Sequence, residues 1–183
     1  TKQQQFGGTI GGPVIRDKAH FFASVERVLI DDGVTVNIPA RPEFNATTTE
    51  QTRVWNTVVR FDHQLNASNT WAVRWLREDS PQFNQVIGNV TLDASREEVD
   101  VDQTVVGTLS SVLGSSKVNT LRVAWTREDV AFANPCFNSN GQNQADCEPT
   151  LNFQTFTHGN SDVAQGRLND AFQLEDTFAW FIP

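Results

Sequence analysis

The fold is most clearly indicated by the segment Trp71-Ala72-Val73-Arg74-Trp75-Leu76-Arg77-Glu78. Its odd-numbered positions begin with Trp71, Val73 and Trp75, whereas its even-numbered positions include Arg74 and Glu78. Successive side chains of a β-strand point to opposite faces, so a period of two indicates a strand with one apolar and one polar face. We therefore expect a strand here, half covered by an apolar environment.

The same alternation recurs in three further stretches of the chain. They are Trp55-Thr57-Val59-Phe61 against Asn56-Val58-Arg60-Asp62, Leu121-Val123-Trp125 against Thr120-Arg122-Thr126, and Phe172-Leu174 with Phe178-Trp180 against Gln173-Glu175-Thr177. Val, Thr, Phe and Trp dominate the apolar residues, and stretches with a helical period of 3.6 are absent. Seven strands are therefore predicted, at about residues 3–12, 20–30, 53–65, 70–79, 99–112, 118–130 and 171–182.

The connections between the predicted strands alternate between short and long. The short ones run from Pro13 to Ala19, Asn66 to Asn69 and Leu113 to Lys117, and the long ones cover 31–52, 80–98 and 131–170. Outer-membrane barrels have short periplasmic turns and long external loops, and strands of about 9–11 residues cross a bilayer. The expected fold class is all-β: an antiparallel, up-and-down transmembrane β-barrel segment of about seven strands, forming an open curved sheet if alone.

The charge of the chain is unevenly distributed. Fourteen basic against 22 acidic residues give a net charge of −8, which argues against nucleic acid as a partner because its phosphates require a basic surface. The three long connections hold eleven acids and three bases, so the remainder of the chain balances at eleven of each. We expect the whole net charge on one rim of the sheet, although long loops of soluble proteins are also polar. The acids concerned are Asp31, Asp32, Glu43, Glu50, Asp93, Glu97, Glu98, Asp146, Glu148, Asp162 and Asp170.

We expect the chain to be a contiguous part of a larger barrel wall. Single-chain bacterial barrels have an even number of strands, whereas seven are predicted here. The predicted strands begin near Gln3 and stop near Trp180, and unpaired edges would cost several kcal/mol per backbone group in a bilayer. The domain expected is therefore a partial outer-membrane β-barrel domain over residues 1–183.

A glycine-rich strand, a turn and an aromatic run follow one another near the start of the sequence. They read Gln5-Phe6-Gly7-Gly8-Thr9-Ile10-Gly11-Gly12-Pro13-Val14-Ile15-Arg16-Asp17-Lys18 and then Phe21-Phe22-Ala23-Ser24-Val25-Glu26. This combination closely resembles the early barrel of Oar-like TonB-dependent receptors, which often carry a carboxypeptidase-regulatory-like domain. Residues 60–69, 119–125 and 172–180 resemble later strands of that family, with Thr120 in place of a usual Glu and Trp125 in place of a common Tyr.

The resemblance implies a barrel of roughly 22 strands with an N-terminal plug. It implies that a bulky substrate is moved across the outer membrane with energy delivered by the TonB system. The partners implied are the plug domain, the remaining barrel strands and the TonB complex, which would be reached through an N-terminal part. Neither plug nor TonB box is present in these 183 residues.

The face formed by the alternate, apolar strand positions is expected to contact lipid in the bacterial outer membrane. Its Trp residues lie near strand ends, where aromatic girdles form at the bilayer interfaces. Outer-membrane lipid and lipopolysaccharide are therefore expected partners. The acidic long loops suggest contacts with divalent cations or lipopolysaccharide outside the cell.

Five charged residues on the polar face of the predicted strands are candidates for lining the lumen. On adjacent strands they would form structural ion pairs across the wall and hold plug or water, while a substrate track is the alternative. The five are Glu26, Arg60, Asp62, Arg74 and Arg122.

No catalytic residue, cofactor or metal site is predicted, and the protein is not expected to be an enzyme. The paired glycines at 7–8 and 11–12 lack the Lys-Ser/Thr of a phosphate loop, and close backbone approach within a strand explains them better. The three His residues show no metal-ligand spacing. Cys136 and Cys147 share one long connection, where we expect a disulfide formed in an oxidising compartment.

Two alternatives to a receptor wall remain open. A secreted β-rich binding or adhesion module would use the three long loops as its contact surface, and it predicts that the Trp71-Val73-Trp75 face is buried under a second sheet. A carbohydrate-active enzyme of β architecture would need two carboxylates converging in a cleft, for which Glu26 and Asp62 are the candidates.

Overall fold

A computed structural model describes residues 1–133, 149–159 and 165–182, and within them the chain is mostly β-strand. The strands are β1 (Lys2–Ile15), β2 (Ala19–Val36), β3 (Ala46–Asn66), β4 (Asn69–Asp79), β5 (Gln82–Gln85), β6 (Arg96–Leu113), β7 (Lys117–Ala133), β8 (Leu151–Asn152), β9 (Thr157–His158) and β10 (Gln165–Trp180). Seven long strands form one antiparallel sheet in the order β1-β2-β3-β4-β6-β7-β10. The predicted up-and-down β architecture is confirmed.

The long strands extend further from the short turns than the alternation alone predicted. β2 and β3 pair without interruption from Ala19 opposite His63 to Val36 opposite Ala46. Thr and Val at the added positions favour an extended chain, because β-branched side chains pack well on a pleated surface. Two further pieces, the short β5 beside β3 and β6 and the β8–β9 ladder, were not predicted.

This lengthening corrects the predicted position of the net charge. Six of the eleven acids assigned to long loops lie on strands, although they remain at the end of the sheet away from the short turns. The sequence pattern placed them in loops because the outer ends of the strands lose the apolar alternation. The six are Asp31, Asp32, Glu50, Glu97, Glu98 and Asp170.

Three short turns join the strands at one end of the sheet. Asp17, between β1 and β2, and Gly114, between β6 and β7, have φ values of 59° and 71°, in the left-handed region that tight turns use. In the turn between β3 and β4, the Ser68 N–H donates to Asn66 Oδ1 at 2.9 Å. These turn residues account for the register at that end of the sheet.

The glycine-rich start of the chain is part of β1 and approaches β2 closely. A Cβ atom at Gly7 would lie 2.4 Å from the Val25 carbonyl oxygen, and one at Gly11 would lie 3.0 Å from the Phe21 carbonyl oxygen. The prediction that close backbone approach explains the paired glycines is confirmed for Gly7 and Gly11, whereas no atom lies within 4 Å of a Cβ position at Gly8 or Gly12.

The apolar face of the sheet is not covered by any other described element. Val73 is 37% exposed and Phe172 is 78% exposed, and the second described sheet consists only of β8 and β9. The burial that an adhesion module predicts for the Trp71-Val73-Trp75 face is therefore not found. None of the helices in the described ranges is long and apolar enough to cross a membrane.

The buried core lies among the long connections rather than under the sheet. Val36, Ile38 and Phe156 are almost fully buried, and Phe44 packs against them with its ring centroid 5.9 Å from that of Phe156. Val86, from the second long connection, joins the same cluster. Because these residues come from three connections, we call them the loop cluster.

Candidate functional site on the polar face

All five lumen candidates lie on one face of the sheet. Arg60 and Arg74 are direct register partners across β3 and β4. Asp62 on β3 and Arg122 on β7 lie in the same cross-strand row, which β4 and β6 complete between them. Glu26 on β2 is the register partner of Asn56 on β3. Directly paired residues project to the same side of a sheet, so the parity predicted from sequence is the parity observed.

Four of the five candidates line an open cavity of about 570 Å³ beside the short turns. Arg60, Arg74 and Arg122 contribute guanidinium groups, and Lys18 adds an ammonium group from the first turn. Asp17 and Asp62 are the acidic residues among its lining residues. The cavity therefore carries an excess of two positive charges on a chain whose net charge is −8.

The ion pairs differ from the predicted pairing across the wall. Arg60 donates from Nε and Nη2 to Asp62 on its own strand, at 2.8 and 2.6 Å. Residues two apart share a face and lie within reach of a long side chain. The direct cross-strand neighbours of Arg60 are Phe22 and Arg74, which offer it no carboxylate. Arg122 does pair between strands, donating to Glu175 on β10 at 3.0 Å.

Arg74 has no hydrogen-bond or ion-pair partner among the described residues, and it is exposed. Its direct neighbour on β3 is another arginine, Arg60, and like charges placed opposite each other are unfavourable. The free guanidinium of Arg74 is thus the group in this cavity best placed to accept an anionic partner.

The half of the polar face nearer the long connections is acidic. Glu26, Glu78, Asp102 and Glu128 stand in one row across the sheet, with Asn56 between the first two. The Gln5 amide donates to Glu26 at 2.7 Å. The polar face is therefore divided into a basic half near the turns and an acidic half near the loops, a division that sequence parity did not predict.

Asp100 lies at the centre of the acidic half. One of its carboxylate oxygens is buried and has no hydrogen-bond partner in the part of the chain that the structure describes. Asp102 and Glu98 are among the carboxylates that act on it electrostatically. Such crowding of like charges disfavours a further negative charge in this half.

The carboxylates considered for a glycosidase do not converge. Asp62 stands opposite His20 on β2, and Glu26 lies six residues further along that strand. Six residues of strand correspond to roughly 20 Å, about twice the largest separation used by paired glycosidase carboxylates. Asp62 is also held by Arg60, so the structure gives no support to this enzyme alternative.

The long connections are joined by polar contacts as well as by the loop cluster. The Gly159 N–H donates to Asp93 at 3.0 Å, and His158 Nδ1 lies 3.1 Å from the same carboxylate. In the first connection, the Arg41 guanidinium donates a hydrogen bond to Glu43 and so holds the pKa of that carboxyl below its ordinary value. The predicted disulfide between residues 136 and 147 lies outside the described residues.

Aromatic and basic residues pair on the apolar face at two levels. Near the turns, Lys117 lies over the ring of Trp180, with 5.1 Å between Nζ and the ring centroid. Toward the long connections, Arg27 lies over Trp55 at 4.9 Å. The placement agrees with interfacial girdles. The sequence pattern singled out charges on the polar face alone, so the roles of Lys117 and Arg27 were not predicted.

Among the described residues, no group of three or more His, Cys, Asp or Glu side chains is arranged to hold a metal ion. The family model described as "Outer membrane beta barrel domain" matches residues 1–43 and 35–182 of the chain. No curated protein matches, and no solved structure matches.

Proposed function

Because the chain belongs to the outer membrane β-barrel domain family, we propose that it forms part of the wall of a TonB-dependent receptor. The family is one of the bacterial outer membrane. In this proposal the apolar face contacts lipid and the polar face lines the lumen. The assembled receptor moves a bulky substrate across the membrane with energy from the TonB system.

The charge-rich polar face is the observation that supports this proposal best. Arg74 is exposed without a described partner, and it borders a cavity of about 570 Å³ that carries excess positive charge. Wide barrels enclose a plugged lumen, and a plug offers polar groups to such a surface. The resemblance of residues 5–26 to Oar-like receptors supports the same assignment.

The division of the polar face suggests how the wall contributes to transport. The basic half lies at the short-turn end, which faces the periplasm in barrels of this type, and there it would hold the plug. The acidic half and the loop cluster lie at the opposite end, where a substrate arrives. When TonB pulls on the plug, the contacts between the plug and the basic half are the ones that must break.

We further propose that this wall has no catalytic role. Its charged side chains pair with one another or remain open on a wide surface, as Arg60 does with Asp62 and as Arg74 does. Binding and passage are functions that such a surface can perform without bond-making chemistry.

The proposal is tested by following which solutes disappear from the culture medium. Cells that produce the protein are compared with cells lacking its gene, and the medium is profiled by mass spectrometry. We expect at least one bulky solute to be depleted only by producing cells. Removing TonB, or collapsing the proton gradient with an uncoupler, should abolish that depletion.

Two results would contradict the proposal. Depletion that continues without TonB would identify a passive pore, and identical media from both strains would argue for a binding or structural role. An Arg74→Gln variant is a sensitive internal probe because this side chain has no described structural partner. We expect it to assemble normally and to change the rate of depletion.

A further inference from the structure

Three polar side chains form a line on the apolar face, at the level where β4 ends and β6 and β7 continue toward the long connections. Arg77, Gln103 and Arg127 are direct register neighbours on β4, β6 and β7. Adjacent strands lie about 4.8 Å apart, so the two arginines stand about 10 Å from each other across Gln103. The next row toward the turns contains Trp75 and Trp125, which belong to the apolar face.

Each arginine in this line is oriented by an aspartate and keeps donors free. Arg77 donates from Nε and Nη2 to Asp79, at 2.8 and 2.6 Å. Arg127 donates from the same two atoms to Asp170, at 2.9 Å each. No described residue accepts a hydrogen bond from Nη1 of either arginine, so two N–H groups remain available on each guanidinium. Gln103 likewise makes no side-chain hydrogen bond with the described residues.

An apolar groove lies on the same face between this line and the short turns. It has a volume of about 240 Å³, and its centre is Gly107, which pairs with Val73 and Val123. No atom lies within 4 Å of the position that a Cβ at Gly107 would occupy. Gly107 is four residues from Gln103, which corresponds to roughly 13 Å along β6. The groove is therefore within reach of an acyl chain whose headgroup lies at the arginines.

We propose that this surface is a binding site for lipopolysaccharide. Phosphate groups of the glycolipid accept hydrogen bonds from Arg77 and Arg127, the Gln103 amide binds between them, and an acyl chain occupies the groove at Gly107. Arginine is suited to this because charge-assisted hydrogen bonds to phosphate are among the strongest in proteins. The inference rests on the outer-membrane family and on the sheet geometry, and it does not require TonB dependence.

The position of the line favours lipopolysaccharide over other lipids. Long loops of outer-membrane barrels face outward, and Gln103 stands ten residues, or roughly 33 Å of strand, from the short-turn end of β6. The line therefore lies on the side of the outer leaflet, where lipopolysaccharide resides. Two arginines about 10 Å apart fit a headgroup with more than one phosphate better than a phospholipid with one. The site also differs from the contacts expected of the acidic loops, because guanidinium groups bind phosphate without a bridging divalent cation.

The first test measures how much lipopolysaccharide the protein retains. The protein is purified from outer membranes in mild detergent with EDTA present, and bound glycolipid is counted by native mass spectrometry. For Arg77→Gln/Arg127→Gln we expect about a tenfold or greater loss of bound lipopolysaccharide, since two charge-assisted contacts are removed. Gly107→Leu should also lower retention by filling the groove. Lys117→Gln is the matched control, because it removes a cation from the same face of β7 but at the short-turn end, far from the line.

Retention equal to the wild type in both the arginine and the Gly107 variants would overturn the proposal. A second measurement uses only the wild-type protein, so its result does not depend on whether the variants fold. Its thermal unfolding is recorded with lipopolysaccharide, with the same glycolipid after enzymatic removal of its phosphates, and with phosphatidylglycerol. We expect stabilisation by the first lipid alone. Equal stabilisation by phosphatidylglycerol, or by the dephosphorylated form, would contradict a site for glycolipid phosphates.

Discussion

Arg60 on β3 and Arg74 on β4 are direct register partners, and Asp62 forms an ion pair with Arg60 but not with Arg74. The arginine pair concentrates positive charge at the turn end of the polar face, beside a cavity that Lys18 and Arg122 also line. The arrangement is unfavourable within the sheet itself, so it is most easily understood as a surface prepared for a partner.

The first prediction concerns this arginine pair. Asp62→Asn leaves both guanidinium groups uncompensated, and we expect it to lower the free energy of unfolding by about 0.5 kcal/mol, because the pair is half exposed and solvent screens it. Arg74→Gln in the same chain should restore most of that loss. The measurement is a double-mutant cycle from urea unfolding in detergent micelles. Strict additivity of the two changes would show that Arg74 does not interact with the Arg60–Asp62 pair.

The second prediction concerns the close approach of β1 to β2. Gly7→Ala places a Cβ 2.4 Å from the Val25 carbonyl oxygen, so the strands must separate locally. We expect a loss of about 1–3 kcal/mol, typical of overpacking, and a lower yield of folded protein. Gly8→Ala is the control, because no atom lies within 4 Å of its Cβ position. Heat-modified gel mobility reports the folded fraction, and equal yields for the two variants would be inconsistent with the contact.

The third prediction concerns the loop cluster. Phe156→Ala removes a buried ring from the contact with Phe44, a change that typically costs about 3–5 kcal/mol. The loss should appear as faster proteolysis of the long connections, with the sheet intact, because the cluster touches the sheet only at its edge, through Val36 at the end of β2. Ile87→Ala serves as control, since Ile87 lies in the second long connection, is 58% exposed and is not part of the cluster. Unchanged cleavage in Phe156→Ala would mean that the cluster does not hold the connections together.

The fourth prediction concerns Cys136 and Cys147. We expect a disulfide that closes the third long connection, and its formation is checked by gel mobility with and without reductant. Two titratable thiols in the unreduced protein, together with unchanged mobility, would rule out the bridge. The predicted stabilisation is about 3 kcal/mol, as for other short disulfide loops.

The fifth prediction concerns the orientation of the sheet in the membrane. Ile87 is exposed in the second long connection, and Ser115 lies in a short turn. In a chain whose native Cys residues are replaced by Ser, we expect Ile87→Cys to react with a membrane-impermeant maleimide on intact cells. Ser115→Cys should react only after the outer membrane is opened. The reverse pattern would invert the assignment of the two ends of the sheet.

The sequence was sufficient to predict the faces of the sheet. The alternation through Trp71, Val73 and Trp75 predicted one face correctly, and Arg74 was assigned to the other. Parity is a local property of an extended chain, so it can be read without knowledge of distant contacts. The turns were equally accessible, because Gly114 and Asp17 belong to residue types that tolerate the left-handed conformation.

The partners of the charged side chains could not be predicted in the same way. Arg60 was expected to pair across the wall but binds Asp62 on its own strand, because the choice depends on side-chain torsions rather than on parity. The contact between Phe44 and Phe156 joins residues far apart in sequence, and no periodic pattern identifies it. The alignment of Arg77 with Arg127 was also beyond prediction. The alternation shows which face Arg77 lies on, but its row depends on the register of β4 with β6 and of β6 with β7.

The shared packing of the three long connections constrains how this protein can diversify. Surface loops of bacteria change under attack by phages and antibodies, and separate loops would be free to change one at a time. Here a substitution at Phe44 alters the environment of Phe156, so viable changes are expected to arise as compensating pairs. Rapid drift should instead be confined to exposed positions outside the cluster, such as Ile87 and Asn89.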